Sequence, residues 1–131
     1  MLDHATLDRI TDQVAQAQAA PHLMPKLTDD FPGLDVDGGY AVQDRLLARW
    51  ESEGRELIGL KAGLTSKAKM EQMGVSVPSF GILMRDTLDP EGSAIATGDL
   101  IHPRVEAEIA FVMKDELAGP HVTIDEVLDA T

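Results

Sequence analysis

The stretch RVEAEIAFVM, residues 104–113, decides how this chain reads. Its apolar side chains Val105, Ala107, Ile109, Phe111 and Met113 fall on odd positions, the period-two alternation of a strand with one face in a core. Glu106 and Glu108 then share the opposite face. Same-face neighbours along a strand have Cβ atoms roughly 7 Å apart, so two carboxylates there repel unless something positive lies between them. Two readings stay open. In one, an edge strand carries Arg104, Glu106 and Glu108 into water, with Arg104 screening the pair. In the other, a divalent cation with oxygen ligands supplies the missing charge, and the even face continues inward through Ala110 and Val112.

Composition bears on that choice. With 131 residues the chain fits one domain with a modest core. Its net charge of −12 argues against phosphate backbones and anionic membrane surfaces as partners, and it favours cations. There is no cysteine, so disulfides and thiolate metal sites are excluded and any metal takes oxygen or imidazole ligands. No run of about 18 apolar residues occurs, so no membrane helix is expected. The opening MLDHATLDRITDQ lacks the basic start and apolar run of a signal peptide, which makes a cytoplasmic protein the expectation.

Along the chain, Leu7, Ile10, Val14 and Ala17 recur at helical spacing over 6–20, with Asp3 or Thr6 as candidate N-caps and Pro21 as terminator. Residues 21–38, with three prolines and two glycines, read as a loop. Val42, Leu46, Leu47 and Trp50 predict a second helix over 39–53, closed by Gly54. ELIGLKAGL, residues 56–64, predicts a strand with Ile58, Leu60, Ala62 and Leu64 on one face and Leu57, Gly59, Lys61 and Gly63 on the other. Thr65 or Ser66 then caps a short helix that Gly74 closes, VPSFGILM at 77–84 reads as extended, and 86–100 is turn-rich. After 101–113 a turn at Gly119 and Pro120 leads to a last helix capped by Thr123.

Lys61 is the first residue able to carry chemistry. It stands between Gly59 and Gly63, which would let a ligand approach the backbone, although a lysine at a strand edge also snorkels readily to water. Desolvation would lower its pKa and a neighbouring carboxylate would raise it. His102 lies on the even face but reads more simply as a polar residue entering the strand before Pro103. Nucleotide-binding glycine motifs and a serine nucleophile elbow are absent.

Taken together, IGLKAGLTSKAKMEQMGVSVPSFG at 58–81 and LIHPRVEAEIAFVMKDEL at 100–117 resemble the fumarylacetoacetate hydrolase superfamily, in the branch of 2-keto-4-pentenoate hydratases and 4-oxalocrotonate decarboxylases. The resemblance implies an α+β fold, with a helical N-terminal segment over 1–54 and, over 55–131, the first part of an incomplete mixed β-roll that holds the catalytic site. It also implies that Glu106 and Glu108 are the first two carboxylates around Mg²⁺ or Mn²⁺, that Lys61 is the active-site lysine, and that Met73 and Ser79 belong to the substrate pocket. Hydratase members usually carry an acid where Ser79 stands in the PSFG motif, which favours the decarboxylase. The implied reaction is metal-dependent loss of carbon dioxide from 2-oxohex-3-enedioate, with hydration of a 2-keto-4-pentenoate as the alternative. The implied assembly is a homo-oligomer or a complex with a homologous hydratase.

Family members run to about twice this length, and the third metal carboxylate is expected beyond Thr131. A contrasting expectation follows: an inactive fragment or half-domain that requires a partner chain.

Overall fold

Asp3 opens the first helix. Its carboxylate accepts the Thr6 N–H at 2.7 Å, satisfying one of the donors that every helix start leaves free. Helix α1 (His4–Ala19) follows, in a computed structural model that describes residues 2–131. The proline-rich connection expected as loop contains one short helix, α2 (Leu27–Asp30). Helix α3 (Val36–Ser52) starts three residues earlier than its apolar stripe suggests, because the Asp35 carboxylate caps the Gly38 N–H at 2.8 Å. Past its C-cap, Gly54 takes a left-handed conformation (φ +85°) that a side chain would resist.

α1 and α3 form a hairpin whose apolar stripes meet. Leu7 and Ile10 from α1, Val42 and Leu46 from α3, and Phe31 from the connection make the main buried cluster, flanked by Val14, Leu34 and Trp50. Ile10 is fully buried, which stabilises the hairpin by about 1.5–3 kcal/mol. The single buried polar side chain among the described residues, Thr11, is satisfied by the Leu7 carbonyl at 2.8 Å. Arg45–Asp8 at 3.0 Å and Arg49–Asp12 at 2.6 Å brace the outside of the same pair. Being solvated, these bridges fix register more than they add stability.

The second half of the chain is built on one antiparallel pair, β1 (Leu57–Gly63) with β2 (Ser79–Met84), joined through α4 (Lys67–Met73). Ser66 caps α4 through the Lys69 N–H, and Gly74 at φ +68° closes it. Register places Lys61 opposite Gly81 and Gly63 opposite Ser79. Two attachments fix this pair to the helices. The Tyr40 hydroxyl on α3 accepts the Phe80 N–H at 3.1 Å, and Arg55, stacked 4.5 Å from the Trp50 ring centroid, grips Asp86 through two nitrogens at 2.7 and 2.9 Å. Arg85 forks onto Glu56 beside it.

Residues 104–113 depart from the expected strand. They make no sheet ladder with any described segment, and the odd-position side chains that were expected in a core lie open, with Ile109 85% exposed and Val105 wholly so. The reason is physical: alternation suits a segment to a sheet, but a strand exists only where a neighbour supplies the opposing N–H and C=O groups. Among the described residues, β1 and β2 pair with each other alone. The segment is tied at its far end, where the Lys114 N–H donates to the Ala130 carbonyl at 2.8 Å. That contact anchors α5 (Ile124–Asp129), whose Thr123 and Glu126 form a reciprocal capping box. The observed class is α+β. No described helix is long and apolar enough to cross a membrane.

Candidate functional site

Lys61 reaches from the middle of β1 to the Glu106/Glu108 pair of the 104–113 segment. Its Nζ donates to Glu108 Oε1 at 2.6 Å and stands 3.0 Å from Glu106 Oε2. The period-two spacing of 104–113 thus does what its sequence promises for the acids, even without a sheet around it. Both carboxylates face one way and converge on one positive charge. Arg104, the alternative screen, is directed elsewhere, its guanidinium 3.4 Å from the His102 ring.

The electrostatics follow from the contact. The Glu108 carboxylate first, and Glu106 second, hold the Lys61 ammonium above the ordinary lysine value of 10.5, outweighing the opposing effect of desolvation. Lys61 is therefore charged at neutral pH. All three side chains stay partly open to water, with Lys61 the most sheltered at 41% exposure.

The glycines around Lys61 keep the surface beside it low, though not in the way their spacing alone suggests. At Gly63 the free space is already used: a Cβ there would stand 2.9 Å from the Ser79 hydroxyl oxygen. Opposite Lys61, by contrast, a Cβ on Gly81 would meet nothing within 4 Å. Room for a ligand lies on the Gly81 side.

Of the five site residues read from the sequence, Lys61, Glu106 and Glu108 come together. Ser79 lies across from Gly63, two register positions along β1 from Lys61. Met73 closes α4 with its side chain exposed and is not drawn into the triad's contacts. Sequence reasoning missed Tyr40 and the Arg55–Asp86 clamp, which hold the β1–β2 pair against α3. No spacing marks Tyr40, whereas the Trp50/Arg55 juxtaposition just past a helix end was a legible signal.

Two cavities of about 400 and 800 Å³ lie between the helical hairpin and β2, the first lined by Ile10, Trp50 and Ile82 and the second by Arg55, Met84 and Ile101 among others. Neither touches Lys61, Glu106 or Glu108. Lys61, Glu106 and Glu108 sit on open surface, apart from both cavities. Among the described residues no cluster of three or more His, Asp or Glu side chains gathers as a ready metal cage. The donor set on offer is two hard carboxylates aimed at one cation position, a set suited to Mg²⁺ or Mn²⁺ with water filling the remaining ligand positions.

No protein-family model matches the chain. Individual relatives do. The chain is 43% identical over 122 residues to a 4-oxalocrotonate decarboxylase of Pseudomonas sp. (strain CF600), covering 93% of this chain and 46% of that protein. It is 37% identical over 131 residues to the 2-oxo-hept-4-ene-1,7-dioate hydratase of Escherichia coli, covering 100% of this chain and 49% of that one. Among solved structures it superposes with a TM-score of 0.94 on the 4-oxalocrotonate decarboxylase from Pseudomonas putida G7 complexed with magnesium and adipate, at 37% identity. That match covers 99% of this chain and 49% of that one. The chain spans about half the length of the curated relatives it matches.

Proposed function

As a homologue of the decarboxylases and hydratases of the fumarylacetoacetate hydrolase superfamily, we propose that this chain carries the lysine and two of the metal carboxylates of a 2-oxohex-3-enedioate decarboxylase. The observation that carries the reading is the convergence of Glu106 and Glu108 on one positive charge, the Lys61 ammonium. The relatives named as decarboxylases and the magnesium and adipate of the solved one support it, adipate being a six-carbon dicarboxylate like the substrate.

In the proposed reaction the bond between C5 and the C6 carboxylate breaks. Its electron pair passes through the conjugated chain to the 2-oxo oxygen, which takes up a proton, and the products are carbon dioxide and 2-hydroxypenta-2,4-dienoate. Glu106 and Glu108 would hold a divalent ion, which when bound would supply electron withdrawal at the 2-oxo group. Lys61, kept protonated, orients the dianionic substrate or donates a hydrogen bond to the oxygen on which charge develops. The low surface at Gly81 admits the substrate beside it, with Ser79 and Met73 proposed as pocket residues.

Hydration of a 2-keto-4-pentenoate is the second reading, favoured by hydratase relatives that match the whole chain. That reaction needs a group to position water, and the neutral hydroxyl of Ser79 serves this less well than an acid would. We further propose that the exposed apolar residues of 104–113 are covered in the assembled protein, where a completed mixed β-roll over 55 onward, within a cytoplasmic homo-oligomer or a complex with a homologous hydratase, supplies the missing ladder. Should the chain lack such a complement, it is an inactive half-domain.

Incubation of the assembled protein with 2-oxohex-3-enedioate and Mg²⁺ separates these readings. Carbon dioxide release with formation of the dienoate supports the decarboxylase. Water uptake by 2-hydroxypenta-2,4-dienoate without carbon dioxide release from the dicarboxylate supports the hydratase instead.

A further inference from the structure

We propose that Lys61 is a built-in counter-ion that occupies the cation position between Glu106 and Glu108 until a divalent ion displaces it, so that metal loading is the event that frees the lysine for substrate. This rests on the reading of Glu106 and Glu108 as metal ligands. Two carboxylates sharing one side of an extended segment repel each other, and here one ammonium, at 2.6 and 3.0 Å, is what draws them together. The cluster as it stands carries a net charge of about −1, which one divalent ion would carry to about +1 if the ammonium stayed. Two cations in a single two-carboxylate seat repel each other, so the incoming ion and the ammonium exclude one another.

The surroundings allow the exchange. Lys61 is 41% exposed and the acids more so, so none of the three is locked by packing. The empty space at Gly81, opposite Lys61 on β2, gives the released side chain somewhere to move. A lysine released there lies beside the metal rather than between its ligands, where it can meet a substrate carboxylate. The unloaded protein thereby keeps its acids paired, and its lysine becomes available only once the metal is present. Lysine suits this role better than arginine, whose planar fork would bind both carboxylates in a more rigid geometry and resist displacement.

The exchange is tested with the assembled protein, Mg²⁺ and Mn²⁺. Calorimetry compares wild type, Lys61→Met, Lys61→Arg and the Glu106→Gln/Glu108→Gln pair. Because partly exposed ion pairs are weak, removing the competitor should tighten metal binding about three- to tenfold in Lys61→Met, while Lys61→Arg weakens it. In parallel, a limiting amine-acetylating reagent and mass spectrometry read the reactivity of Lys61 against Lys26 and Lys67 in the wild-type chain. Metal should raise labelling of Lys61 alone. Metal binding that is lost in the double glutamine variant, yet unchanged in Lys61→Met and without effect on Lys61 labelling, overturns the exchange while leaving the metal reading intact. Absence of saturable binding in every variant overturns both.

Discussion

Lys61 Nζ and Glu108 Oε1 lie 2.6 Å apart across 47 residues of sequence, and this contact joins the β1–β2 pair to a segment that no sheet ladder holds. Neither residue is interpretable alone. A lysine between glycines on a strand reads equally as an edge lysine, and two glutamates at alternate positions read equally as a solvated face. Their meeting brings the two sequence blocks behind the resemblance into contact.

Replacing Glu108 by Gln removes the stronger partner of Lys61 and half of the proposed metal seat. Metal affinity should fall by at least tenfold, whereas the thermal midpoint should barely move, because exposed ion pairs contribute little to folding. Calorimetry beside circular dichroism reads both.

The helical hairpin should be the most sensitive part of the molecule to truncation. Ile10→Ala empties a position with no solvent exposure and should destabilise the chain by about 2–5 kcal/mol, against about 0.5–1.5 kcal/mol for Ile10→Val. Denaturant unfolding followed at 222 nm measures the difference.

Tyr40→Phe deletes the hydroxyl that accepts the Phe80 N–H while keeping the ring. A loss of about 1 kcal/mol is expected. Faster hydrogen exchange at the Phe80 amide would place that loss at the junction of α3 with β2, and unchanged exchange would contradict the attachment.

Acid should loosen that junction for a separate reason. Hydrogen bonds from Arg85 hold Glu56 below its ordinary 4.5, and those from Arg55 hold Asp86 below its ordinary 3.8. A carboxyl whose folded pKa is depressed adds stability that is fully present above its unfolded value and is lost as pH falls through the folded one. The thermal midpoint should therefore drop as pH falls below about 4, and Glu56→Gln/Asp86→Asn should flatten that part of the profile. A drop of equal size in the double variant would assign the acid sensitivity to other groups.

Much of this architecture is legible in the sequence because it is local. The stripe through Leu7, Ile10, Val14 and Ala17, the caps at Asp3 and Ser66, and the glycines at 54 and 74 each act within a turn or two of chain, and the elements form where those signals fall. α3 begins earlier than its stripe because Asp35 caps it, a signal present in the sequence but overshadowed by the glycines at 38 and 39. Residues 104–113 show the limit. Alternation states which side chains share a face, and Glu106 and Glu108 do share one, but a ladder depends on a distant segment that local pattern cannot reveal. Tyr40 was illegible for the same reason, its partner being 40 residues away.

The central claim is that Glu106 and Glu108 form a seat for one divalent ion. Its most direct test is Mn²⁺ binding to the assembled protein, followed by the loss of the free-ion paramagnetic resonance signal, in wild type and in Glu106→Gln/Glu108→Gln. The account predicts saturable binding of one ion per chain that vanishes in the double variant while the helical signal is retained. Equal binding by both proteins would contradict it, because the ion would then be held by other acids of this strongly anionic chain.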